Sequence, residues 1–65
     1  MVTETELWRR MGAHLPPGRL EVWADSIVMA RLGGRTVHEA IAAGLSFREI
    51  WRAVAEKLEV PEYGS

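Results

Sequence analysis

Cysteine is absent from this chain of 65 residues, which excludes a disulfide framework, a thiolate nucleophile and thiolate metal ligation, and fits a reducing, cytoplasmic setting. Asp25 is the only aspartate, and His14 and His38 are the only histidines. No spacing among so few ligands points to a zinc site, and no metal or cofactor is expected. Neither sign of charge dominates: eight basic residues against nine acidic ones leave a formal net charge of −1, which gives no global attraction to nucleic acid. No apolar run approaches the ~20 residues that a bilayer span needs. Met1 leads into Glu4 and Glu6 instead of a basic stretch followed by an apolar one, so neither a membrane anchor nor a secretion signal is expected. Nothing alternates as a strand does, no segment recurs at a solenoid period, and no low-complexity linker divides the chain. The reading is one helical domain over residues 1–65, with a frayed C-terminal tail at 60–65.

What is present is a set of helix signals. A hydrophobic content of 48% belongs to a folded chain, although a domain this short buries only about 60% of its unfolded surface and needs an efficient core. Thr3-Glu4-Thr5-Glu6, Thr36-Val37-His38-Glu39 and Ser46-Phe47-Arg48-Glu49 all match the capping box, in which a hydroxyl accepts the amide three residues on and the glutamate there reaches back to the cap's own amide. Val2 with Leu7, and Leu45 with Ile50, add hydrophobic staples to the first and third. Leu15-Pro16-Pro17-Gly18 breaks the first helix, because proline disfavours helical geometry in its predecessor and cannot donate to the ladder. Gly33-Gly34, Gly44 and Val60-Pro61 stop the others. Helices are therefore expected near 4–14, 18–32, 37–43 and 47–59.

The apolar spacing says what each would bury. Phe47, Ile50, Trp51, Val54 and Leu58 make one stripe of the fourth helix, with Arg48, Glu49, Arg52 and Glu56 opposite. The first presents Leu7, Trp8 and Met11, with Leu15 just beyond, and the third Val37, Ala40 and Ile41. In the second, Leu20, Trp23, Ala24 and Ile27 form a stripe that Val22, Val28, Met29 and Leu32 broaden nearly around the axis, which predicts that this is the central helix. Trp8, Trp23 and Trp51 each fall on an apolar stripe, where core packing accounts for them. The alternative is a half-exposed patch that binds a partner, for which Trp8, Phe47 and Trp51 are the candidates.

Catalytic groupings are not evident. Ser46 near His38 could be imagined as a nucleophile, but its hydroxyl already serves the capping box and no Gly-x-Ser-x-Gly elbow surrounds it. Of the glutamates that could pair as acid and base, Glu39 and Glu49 sit at capping positions, and Glu56 is four residues from Arg52, where a solvated ion pair is the simpler account. Gly33-Gly34-Arg35 has neither the length nor the lysine of a phosphate loop. The expectation is that the protein is not an enzyme.

Residues 33–51 invite comparison with a helix-turn-helix. Ala40 and Gly44 lie four apart, Leu45 follows the glycine, and Ile50 and Ala53 fall where a second helix would turn inward. Arg48 and Arg52 would then approach bases or phosphates, and together with Arg35 they are the candidate contacts for nucleic acid or another partner. From Arg31 to Leu58 five basic residues face three acidic ones, a slight bias of +2. Phe47 and Trp51 would lie on the groove-facing side, yet they belong to the helix's most apolar stripe, so core and DNA compete for the same residues.

The run Leu32-Gly33-Gly34-Arg35-Thr36, then Glu39-Ala40-Ile41, Gly44, Ile50-Trp51-Arg52-Ala53-Val54 and Val60-Pro61 resembles a family of short bacterial, chiefly actinobacterial, proteins known as domain of unknown function 3046. With Leu7-Trp8 the resemblance covers nearly the whole chain. It implies a loose association with DNA recombination and repair and assigns no activity. Where the family pattern has an Asp-His pair and a cysteine, this chain has Ser26, Ile27 and Ala55.

Together these signals predict an all-α, compact bundle of four helices, three longer and a short third, with a helix-turn-helix-like C-terminal half. The leading functional reading is a small, non-catalytic, cytoplasmic module that binds another protein, motivated by abundant apolar surface on a short chain. A DNA-binding adaptor using the helix at 47–59 is the rival, and a self-associating structural domain is the third reading. No membrane partner is expected.

Overall fold

Thr3 starts the first helix by placing its hydroxyl oxygen 3.2 Å from the Glu6 amide. In the computed structural model, which describes residues 2–60, this helix, α1, spans Glu4–His14 and is followed by α2 (Leu20–Ser26), α3 (Val37–Ala42) and α4 (Phe47–Leu58). A single 3-10 turn, Ala30–Leu32, lies between α2 and α3. Among the described residues the only β feature is an isolated antiparallel bridge between Met29 and Arg35. The architecture is an all-α bundle of four helices, and no described helix is long and apolar enough to cross a membrane. Of the expected tail at 60–65, only Val60 is described; residues 61–65, with the Pro61 stop, lie outside the described residues.

The three helix starts expected from capping signals are all present, but only one is a complete box. At Thr36 the hydroxyl accepts from the Glu39 amide (3.2 Å) and the Glu39 carboxylate accepts from the Thr36 amide (2.9 Å). At Ser46 the hydroxyl accepts from the Glu49 amide (3.1 Å), while the Glu49 carboxylate sits 3.5 Å from the same hydroxyl instead of turning to the Ser46 amide. At Thr3 the glutamate is drawn away altogether: Glu6 takes Arg10 (Nε to Oε2, 2.8 Å) and Arg9 as partners, one helical turn ahead of it. Charge-assisted bonds at i+3 and i+4 outcompete a neutral backbone amide for one carboxylate.

Helix ends follow the same local logic. Gly44 (φ 86°) leaves α3 in the left-handed region, its amide donating to the Ile41 carbonyl and the Leu45 amide to the Ala40 carbonyl, both at 3.1 Å. This is a Schellman closure. α4 closes identically, with Glu59 to Glu56 at 3.2 Å and Val60 to Ala55 at 2.9 Å, but Glu59 (φ 60°) takes the position glycine favours.

The second helix departs most from expectation. It stops at Ser26, after seven residues, instead of running on to 32. Ile27 and Met29 are extended (φ −84°, ψ 117° and φ −122°, ψ 125°), and Gly33 and Gly34, both with positive φ, reverse the chain. The reversal lets the Met29 amide donate to the Arg35 carbonyl (3.1 Å) and the Gly34 amide to the Met29 carbonyl (3.0 Å). Two adjacent β-branched residues, Ile27 and Val28, lower the local preference for helix. The break also lets Met29 and Leu32 both enter the core, at 3% and 2% exposure.

The centre of the bundle is α4, not α2. It buries Ile50, Trp51, Ala53, Val54 and Ala55 and packs on α1, α3 and the 3-10 turn, whereas α2 buries only Ala24. Ala53 and Ala55 explain the difference, because side chains this small widen the covered face of α4 and let neighbouring backbones approach. As expected, α3 is the shortest helix, at six residues, and the other three have seven or more.

Candidate functional site

Pro16, Pro17 and Gly18 end α1 and turn the chain, with the Arg19 amide closing the turn on the Pro16 carbonyl at 3.0 Å. The turn sets α2 beside the extended residue Leu15 (φ −121°, ψ 141°). Positions 19, 22, 23 and 27, spaced for one helical stripe, then face Leu15 and Pro16. Between them is a groove of about 200 Å³, walled by Leu15, Pro16, Val22, Trp23 and Ile27 with Arg19 at its rim. Leu15, Trp23 and Ile27 are half-buried and pack against the core, while Val22 is 61% exposed. Val28, next along the chain, is 52% exposed. Among the described residues these two valines are the large apolar side chains most open to water. Arg19 is exposed, and its side chain makes no ion pair or hydrogen bond among the described residues.

A second cluster fastens three helices. His38 Nδ1 on α3 lies 2.8 Å from Asp25 Oδ1 on α2, and the Trp8 ring of α1 stands 5.4 Å from the imidazole at a tilt of 55°. Trp8 is itself tied to Glu4 by its indole N–H at 3.2 Å. Asp25 and His38 are thirteen positions apart, too far for any local signal to pair them. Both side chains remain in contact with water, at 71% and 43% exposure, where such a pair contributes little stability, of the order of 0.2–1 kcal/mol.

The apolar patch expected at Trp8, Phe47 and Trp51 does not form. Trp51 is in the core at 2% exposure, with the His14 ring 6.3 Å away and nearly parallel and the Arg10 guanidinium 5.7 Å from its centre. Trp8 and Phe47 are half-buried and pack against that core. An indole covered by a cation on one helix is unavailable to a partner, whatever its place on the helical stripe. Among the described residues the exposed large apolar side chains are instead on and just after α2, a short helix that buries only Ala24.

Of the three candidate arginines, Arg48 and Arg52 lie one turn apart on α4, and Arg35 follows the Gly33-Gly34 turn. Arg35 is exposed and donates from Nη1 to the Leu32 carbonyl at 3.1 Å, closing the Gly33-Gly34 turn. Arg52 is half-buried and lines a cleft of about 140 Å³ with Arg31 and Glu49. Arg48 is exposed on α4 and does not line that cleft. Arg31, which lines the same cleft as Arg52, also lies 3.5 Å from Glu56. With Ile50, Trp51 and Val54 buried, the apolar stripe of α4 faces the core.

A larger hollow of about 410 Å³ adjoins the C-terminal end of α4, where Arg31 and Lys57 face Glu56 and Glu59. Its charges balance, so it favours no ligand of one sign. On α1, hydrogen bonds from Arg10 and then Arg9 hold the Glu6 carboxyl below its ordinary range. Among the described residues no group of three or more His, Cys, Asp or Glu side chains could hold a metal ion.

Compared with known sequences, residues 2–63 match the profile of a family described as "Protein of unknown function (DUF3046)". No curated protein and no solved structure matches the chain.

Proposed function

The chain belongs to the DUF3046 family of proteins of unknown function, and from that premise we propose that it is a small, non-catalytic module that binds another protein through the groove between α2 and the Leu15-Pro16 segment. The observation that carries this reading is the exposure of Val22, at 61%, beside Trp23 and Ile27 in a groove that the rest of the fold leaves open. Apolar surface left uncovered in a chain this small costs solubility and brings no stability, so a covering partner is its simplest use. The groove's volume of about 200 Å³ is below the roughly 300–1,000 Å³ of pockets that enclose drug-sized molecules. It suits one large side chain of a protein.

The non-catalytic part of the proposal rests on what the polar groups are doing. Ser46, Thr36 and Glu39 are engaged as caps, and Asp25 with His38 joins α2 to α3. The stripe of α4 that holds Trp51 serves the core, which favours the groove beside α2 over α4 as the binding surface. A cytoplasmic site of action, consistent with a chain free of cysteine, is part of the same proposal.

The test is capture from the native lysate by the wild-type chain, the Val22→Asp variant and an Arg48→Ala control, with circular dichroism to show that all three fold. A protein retained by wild type and Arg48→Ala and lost by Val22→Asp is expected. If Val22→Asp retains everything that wild type retains, the groove is not the binding surface.

A further inference from the structure

The groove between α2 and the Leu15-Pro16 segment has a polarity that narrows its occupant. Its walls are apolar apart from Ser26, and of the residues lining it only Arg19 is charged. The acidic residues of α2 are directed elsewhere. Asp25 is held by His38 at 2.8 Å, and Glu21 lies two residues from Arg19, close to the opposite side of the helix. The Arg19 guanidinium therefore meets no carboxylate of its own chain among the described residues. An arginine at the rim of an apolar slot is suited to a carboxylate, whose two oxygens match its parallel N–H donors.

Resting on the protein-binding reading above, we infer that the groove takes an apolar side chain of a partner protein together with a neighbouring carboxylate, the apolar group seated against Val22, Trp23 and Ile27 and the carboxylate paired with Arg19. A second copy of this chain fits less well. The exposed face of α2 is seven residues long, about 10 Å, which is short for the roughly 800 Å² per subunit of a stable dimer. A narrow extended or helical segment needs no such area.

The test uses three short capped peptides that share a Leu-Leu-Phe segment and differ only in a preceding Glu, Gln or Lys, titrated into the wild-type chain, Arg19→Gln and Arg19→Glu. Binding is followed by NMR at the Val22 methyls and the Trp23 indole N–H. Arg19 is exposed and its side chain caps nothing, so both variants should fold, and their spectra will show it. On the wild type, the Glu peptide is expected to bind about two- to five-fold more tightly than the Gln peptide, as a half-exposed ion pair allows. The Lys peptide should bind weakest, and the preference for Glu should shrink with added salt. Arg19→Gln should erase the preference, and Arg19→Glu should reverse it in favour of Lys. Equal binding of all three peptides at Val22 and Trp23 would overturn the carboxylate and leave the protein-binding groove standing. No shift at either residue with any peptide would overturn the groove as well. Shifts at Val22 that appear on raising protein concentration without peptide would overturn the inference in favour of self-association.

Discussion

Replacing Glu59 by glycine should stabilise this protein, although Glu59 is exposed at a helix end. The residue closes α4 at φ 60°, in the Schellman position, where the Glu59 and Val60 amides donate back to Glu56 and Ala55. Holding a residue with a Cβ in the left-handed region costs about 1–2 kcal/mol. Glycine removes that cost but loses more chain freedom on folding, which offsets about 0.4–1 kcal/mol, so the conformational gain is about 0.5–1 kcal/mol. Removing a negative charge from the carbonyl end of α4 adds about 0.3–1 kcal/mol of its own. Glu59→Gln isolates that second effect, since it removes the charge and keeps the backbone strain. For a domain of this size 1 kcal/mol moves Tm by about 4–8 °C, so Glu59→Gly should melt about 2–8 °C above Glu59→Gln. The complementary change is Gly44→Ala at φ 86°, where a Cβ would meet nothing within 4 Å. Its loss should be conformational alone, about 1 kcal/mol. Urea titrations should show shifted midpoints with unchanged slopes. If Glu59→Gly is no more stable than Glu59→Gln while Gly44→Ala loses stability as expected, the left-handed closure of α4 is wrong.

Three further outcomes are expected. Thr36→Ala should cost about 1–2 kcal/mol and Ser46→Ala about 0.5–1 kcal/mol by urea denaturation, because Thr36 is buried at 6% exposure and anchors the one complete capping box; equal losses would contradict this ranking. Glu6→Gln should lower Tm at neutral pH, and the deficit should fade as pH falls below the ordinary glutamate value of 4.5, because the folded state keeps Glu6 ionised further into acid than the unfolded chain does. A deficit unchanged at the acid end would show that Arg9 and Arg10 do not act through the charge. In iodide quenching, Trp51→Phe should remove the emission best protected from quencher and Trp8→Phe a more accessible component, given the 2% exposure of Trp51; the reverse assignment would place Trp51 at the surface.

What could be read from residue order is whatever is decided within one helical turn. The hydroxyl caps at Thr3, Thr36 and Ser46, the proline break at Pro16 and the glycine closure at Gly44 are all where the sequence places them. The cap and closure bonds join groups three to five positions apart, and they form much as they would in an isolated helix. The apolar stripe of α4 was legible for the same reason. Even at this range competition intervened: Glu6 left its cap for Arg9 and Arg10, which sit equally near in sequence.

The rest depends on which surfaces meet. Val28, Met29 and Leu32 read as a continuation of α2, yet Met29 and Leu32 are buried only because the chain breaks at Ile27 and folds back through the Met29–Arg35 bridge. Ala53 and Ala55 carry little weight in a hydrophobic pattern, and they allow α4 instead of α2 to take the centre. The candidate groove escaped the sequence because Leu15 and Pro16 serve there as a helix stop, and Val22 and Trp23 as members of an apolar stripe. Periodicity identifies an apolar face without saying what covers it. Coverage is a property of pairs of elements, set by helix length, side-chain volume and the route of the connecting turns, and these left Trp51 inside the bundle and Val22 outside.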